Sequence, residues 1–176
     1  LARSRGLGDV YKRQIETLAP EPCLFPAERD IETTAYLNAE DDLHIDLRTL
    51  SFRFCYGRTG STKSPEALET YRAHAPLGGG TQDARKDKEI EFYDRIAREG
   101  ITPTAIIHAV SRFRTALEHW EERLTATEDY LLGQDLSVID IAWYVYTNRL
   151  WLGGYPVERL HPRVWAWYLS LIHISE

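Results

Sequence analysis

Between residues 28 and 169, apolar side chains recur at three- and four-residue spacing, the period that lines one face of an α-helix. The most regular run is Ile106, Val110, Phe113, Leu117, Trp120 and Leu124, opened by Thr102-Pro103. Thr is a good cap there, and Pro suits a first helical turn. The spacing predicts a helix packed along its whole length. A second pattern, from Glu28 to about Tyr56, puts Leu43, Leu47, Leu50 and Phe54 on one stripe that should face the core. Beside it stand His44, Arg48, Phe52 and Tyr56, each four residues from the next, an aromatic and cationic row on one flank. That row reads either as a partly exposed face with a snorkelling Arg48 or as the wall of a ligand site.

Two shorter helices are expected between these, one opened by Ser64-Pro65-Glu66 and ending near Ala75, the other charged and running from about Asp83 to Glu99 with Ile90, Tyr93 and Ile96. Gly78-Gly79-Gly80 separates them; without a Gly-Lys-Ser/Thr ending or a preceding strand it reads as a turn, not a phosphate loop. Further on, Ser137-Val138-Ile139-Asp140 has the form of a capping box. The Ser137 hydroxyl can accept from the Asp140 backbone N–H while the Asp140 carboxylate accepts from that of Ser137, and Leu136 and Ile141 sit where a hydrophobic staple needs them. The helix it opens, Ile141-Ala142-Trp143-Tyr144-Val145-Tyr146, is apolar nearly all round, as a central core helix would be, and Gly153-Gly154 ends it. Pro162 opens a last helix with Val164, Trp165, Trp167, Tyr168 and Leu169. No convincing alternation of period two marks a strand, so the fold class is all-α.

The termini break this pattern. Residues 1–14 mix Gly with Arg3, Arg5, Lys12 and Arg13 and show no periodicity. They and the closing residues 170–176 are similar to translated sequencing-adapter sequence, so both are expected to be non-native flanks. Residues 15–27 hold Pro20, Pro22 and Pro26, which keep the backbone extended, as in an interdomain linker remnant. The helical domain is then 28–169. Setting aside the first 14 residues (net +3) and Glu176 (−1) takes the formal charge from −6 to −8. So acidic a domain is a poor partner for nucleic acid or anionic membrane.

Apolar runs stop well short of the ~20 residues a bilayer span needs, and no export signal is visible, which points to the cytoplasm. Cys23 and Cys55 have no second Cys or His at ligand spacing, and the six histidines form no H-E-x-x-H pair, so no metal site is expected.

One stretch, Leu131-Leu132-Gly133-Gln134-Asp135-Leu136-Ser137-Val138-Ile139-Asp140-Ile141-Ala142, is similar to the L-x-G-x-x-x-S-x-A-D-I-x pattern of the cytosolic glutathione transferases, with Ile139 where Ala is usual. Ala19-Pro20-Glu21-Pro22 resembles that family's linker, and His161-Pro162-Arg163-Val164-Trp165 resembles its late helix. The resemblance implies a glutathione-transferase C-terminal-domain-like helical bundle whose thioredoxin-like N-terminal domain is missing, the chain being a fragment of a two-domain protein. It also implies that glutathione is the co-substrate, bound mainly by the absent domain, which would supply the thiol-activating Tyr, Ser or Cys. This fragment then holds no catalytic residue and is inactive alone.

What the helical domain of such an enzyme supplies is a wall for a small-molecule electrophile, which places Arg48, Phe52 and Tyr56 as substrate-binding candidates. The aromatic row suits a flat apolar molecule, and Arg48 suits developing negative charge on it. The long connection from Gly57 to Ile101 is similar to that of bacterial relatives acting on aromatic compounds, the reductive dehalogenases and β-aryl etherases. The resemblance also implies a homodimer formed through the long helix after the linker. The competing reading is a non-catalytic protein-interaction module on the same fold. Ser137 and Asp140 belong to folding in either case.

Overall fold

The structure is a computed structural model, which describes Leu18 and residues 23–57, 63–73, 84–124 and 129–172. The expected triple-glycine turn and residues 1–14 lie outside these. After a short 3-10 turn at Ala27–Arg29 come α1 (Asp30–Asp42), α2 (His44–Phe54), α3 (Pro65–Ala73), α4 (Ala84–Glu99), α5 (Pro103–Arg123), α6 (Val138–Leu152), α7 (Val157–Leu160) and α8 (Pro162–Ile172). Among the described residues there is no strand, only an isolated bridge between Tyr130 and Gly133. The all-α expectation holds.

The main core gathers α1, α2, α5, α6 and α8. α5 packs as its spacing requires: Phe113, Leu117, Trp120 and Leu124 are buried, with Ile106 and Val110 packed partly buried at its start. The Thr102 side chain accepts the Ala105 N–H at 3.2 Å, and Pro103 follows, so the cap is the one the sequence announces. α2 lies against both α5 and α6 and sends Leu47 and Leu50 between them. A second, smaller cluster of Leu68, Phe92, Tyr93 and Ile96 sits under α3 and α4, joined to the rest by Ile45 and Phe52 of α2.

Two expectations about the first long helix need correction. The Glu28–Tyr56 pattern is not one helix but two, broken at Leu43, whose backbone (φ −90°, ψ −3°) sends its N–H to both Asp41 and Glu40 carbonyls instead of continuing the ladder. Phe54, expected in the core, is 50 % exposed, because α2 ends there. The last helix in turn continues to Ile172, past the boundary at residue 169, with Leu171 and Ile172 packed against the main core.

The capping box forms at the start of α6. Asp140 is fully buried and its two oxygens take four donors: Oδ1 accepts from Leu131 N at 2.8 Å and Trp167 Nε1 at 2.9 Å, while Oδ2 accepts from Ser137 N at 2.9 Å and Ser137 Oγ at 2.6 Å. It joins the loop before α6, the start of α6 and α8 in one knot. α8 receives its own cap from another element, for the Glu121 carboxylate of α5 accepts the backbone N–H groups of Arg163 and Val164.

Candidate functional site

The flank of α2 picked out by four-residue spacing is brought together, and α3 and α4 fold over it. His44 Nε2 lies 3.1 Å from Arg48 Nη2, and His44 Nδ1 lies 3.2 Å from the Tyr146 hydroxyl of α6. Arg48 Nη1 donates to Glu89 Oε1 at 2.5 Å, while Tyr71 donates its hydroxyl to Glu89 Oε2 at 2.8 Å and Lys63 Nζ stands 3.9 Å from the same carboxylate. The guanidinium carbon of Arg48 sits 5.9 Å and 5.6 Å from the ring centres of Phe92 and Tyr93, within cation–π range. Phe52 packs on those rings and meets Tyr56 nearly edge-on, centroids 6.1 Å apart. Tyr56, at the end of the row, is half exposed.

The electrostatics follow from this packing. Burial alone would raise the Glu89 carboxyl, but the hydrogen bonds from Arg48 and Tyr71 and the charges of Arg48 and Lys63 hold it below the usual range. His44 is pushed down, first by burial and then by Arg48 beside it, so it stays neutral. Burial pushes the Tyr146 hydroxyl up, aided by the charge of Glu40. The row is therefore an aromatic surface with one fixed cation, itself neutralised by Glu89.

Glu89, Tyr71 and Lys63 were not singled out from the sequence. A signal was present: Glu89 shares the helical face of Tyr93 and Ile96, at spacings of four and seven, and a carboxylate on an apolar stripe needs a cation.

On the opposite side, between α1 and α5, a cleft of about 590 Å³ is lined by Tyr36, Leu43, Arg112 and His119, with Trp120 and Trp143 among its walls. Of its polar groups, Arg112 Nη1 pairs with Asp46 Oδ2 at 2.5 Å and the Tyr36 hydroxyl with His119 Nε2 at 3.2 Å and Arg123 Nη1 at 3.3 Å, while the buried Trp143 Nε1 has no hydrogen-bond partner. Among the described residues no group of His, Cys, Asp and Glu is arranged to hold a metal ion, and no helix is long and apolar enough to cross a membrane.

A family model of the glutathione S-transferase C-terminal domain matches residues 69–169. The chain belongs to that family. The fold is also similar to that in the crystal structure of the β-etherase LigF from Sphingobium sp. strain SYK-6, which matches 94 % of this chain and 68 % of its own, with a TM-score of 0.67 at 19 % identity. No curated protein sequence matches. Glutathione S-transferase relatives use glutathione, generally bind electrophilic substrates and often form dimers.

Proposed function

We propose that this chain is the substrate-binding helical domain of a glutathione transferase-like enzyme, preceded in the intact protein by a thioredoxin-like domain that binds glutathione and lowers its thiol pKa. The thiolate sulfur attacks an electrophilic carbon of an apolar or aromatic substrate, a C–S bond forms, and the leaving group departs with its electron pair. The observation that carries the reading is the aromatic row of α2: Phe52 and the half-exposed Tyr56 offer ring surface at the rim of the α3–α4 lobe, suited to a flat apolar molecule. Arg48, held by Glu89, stands fixed beside those rings. The family also favours a homodimer in the cytoplasm, with the helices after the linker, α1 and α2, as the interface.

The test begins with the native gene. Roughly 80 residues with a βαβ start before Ile15, the size of a small domain, and a Ser, Cys or Tyr near the first turn support the enzyme; their absence leaves a non-catalytic interaction module. In the intact enzyme, Phe52→Ala and Tyr56→Ala should raise KM for an aromatic electrophile and leave KM for glutathione unchanged. Unaltered electrophile KM in both variants refutes the placement. The present chain should pass through a glutathione-affinity column, and firm retention contradicts the assignment of the tripeptide site to the preceding domain.

A further inference from the structure

α6 brings a second arginine to the aromatic row of α2. Arg149 follows Tyr146 by three residues, so the two are neighbours on the helix surface. Tyr146 is buried and meets His44, while Val145 and Leu152 on the outer side of α6 are exposed. Arg149 is half-buried and stands at the margin of the α2–α6 seam. Its carbonyl oxygen lies 3.7 Å from Sγ of Cys55, the residue before Tyr56. Helical side chains lean towards the N-terminus of their helix, which carries the guanidinium back along the row towards Tyr146 and His44. The electrostatics agree. His44 is pushed down first by burial and then by Arg48, and the Arg149 charge adds to this; burial and then Glu40 push the Tyr146 hydroxyl up, and Arg149 works against them.

The two arginines differ in what surrounds their charge. Arg48 gives Nη1 to Glu89 and turns Nη2 to His44, so it is already matched. The Arg149 guanidinium has no hydrogen bond, ion pair or ring contact among the described residues. Acidic residues outnumber basic ones by 27 to 21 in this chain, yet no carboxylate is placed against this cation. A half-buried fork of N–H donors without a carboxylate beside it is a receptor for a planar anion. We propose that Arg149 sets the substrate class: an aromatic electrophile bearing a carboxylate, its ring on Phe52 and Tyr56 and its carboxylate oxygens accepting two N–H bonds from the guanidinium. The charge role that spacing alone suggested for Arg48 passes to Arg149. This rests on the substrate-binding reading above and adds what the substrate carries.

The first experiment titrates this chain with naphthoate and with naphthamide, which share ring and shape and differ in charge. Naphthoate should bind severalfold more tightly. Arg149→Gln should bring the two probes together and Arg149→Lys should restore part of the difference, while Arg159→Gln, at an exposed position on α7, should change neither. Equal binding of the two probes, or a preference for naphthoate that survives Arg149→Gln, overturns the proposal and leaves the ring wall standing. Binding of neither probe refutes the ring wall and the proposal with it. In the longer product of the native gene, chloronitrobenzoate should show a lower KM than chloronitrobenzamide, and Arg149→Gln should abolish that difference with KM for glutathione unchanged. A preference confined to the short chain assigns Arg149 to a contact with the preceding domain and also overturns the proposal.

Discussion

Replacing Asp140 with Ala should cost far more than a lost helix cap. A cap removed from a helix start costs about 0.5–2 kcal/mol, but the Asp140 carboxylate is fully buried and serves the N–H groups of Leu131, Ser137 and Trp167 as well as the Ser137 hydroxyl. The hydroxyl can rotate to another acceptor; the three N–H groups cannot. A buried donor left unmatched costs ~1–3 kcal/mol, so simple addition gives about 3–9 kcal/mol. Water entering the vacated volume recovers part of that, and the desolvation cost of the buried charge is returned. A net loss of about 3–5 kcal/mol remains, a large share of the ~5–15 kcal/mol of a typical domain. Asp140→Asn keeps the shape, yet its amide NH₂ must face one of the two donor pairs, so it should also lose ~2 kcal/mol or more. Trp167→Phe removes a single donor and should lose less than either. Urea unfolding followed by circular dichroism measures all three. An Asp140→Ala loss below 2 kcal/mol, or an Asn variant as stable as the parent, would refute the reasoning.

Three other outcomes are expected. Glu121→Ala removes the acceptor for the first N–H groups of α8 and should lower stability by about 0.5–2 kcal/mol, visible as a lower urea midpoint. His44 is held neutral in the fold, facing Arg48, Asp41, Glu89, Arg149 and Tyr146; the unfolded chain takes up its proton first as pH falls below about 6.5. Its contribution is therefore lost on acidification from that point, and His44→Gln should flatten the dependence of the urea midpoint between pH 7 and 5. Glu89→Ala leaves Arg48 without its carboxylate and should speed amide exchange in α3 and α4 while α5 and α6 keep their protection; equal loosening of all four helices would mean that the two clusters unfold as one.

Much of the fold was legible because it is written in local spacing. The stripe from Ile106 to Leu124, the Thr102-Pro103 start and the Ser137–Asp140 box each state their structure within a few residues. What failed depended on partners distant in sequence. The break at Leu43 carries no Pro or Gly to announce it, and Phe54 continues its stripe faultlessly but lies where the helix ends. The flank of α2 was visible as a row of side chains; that Arg48 is held by Glu89, 41 residues on, was not. Periodicity likewise marked α6 as central, without showing that Ile141, Val145 and Leu152 remain open.

The separation of the two apolar clusters bears on how such a protein diversifies. α5 and α6 close the main core with α2 directly, and the α3–α4 lobe builds its own small core above Ile45 and Phe52. Mutations accumulating in the lobe thus act on a semi-independent module, where an altered ring or charge reshapes the rim beside Tyr56 at little cost to the scaffold beneath. Lineages sharing this scaffold can drift in the lobe while the main core is kept, and sequence divergence should be fastest between residues 57 and 101.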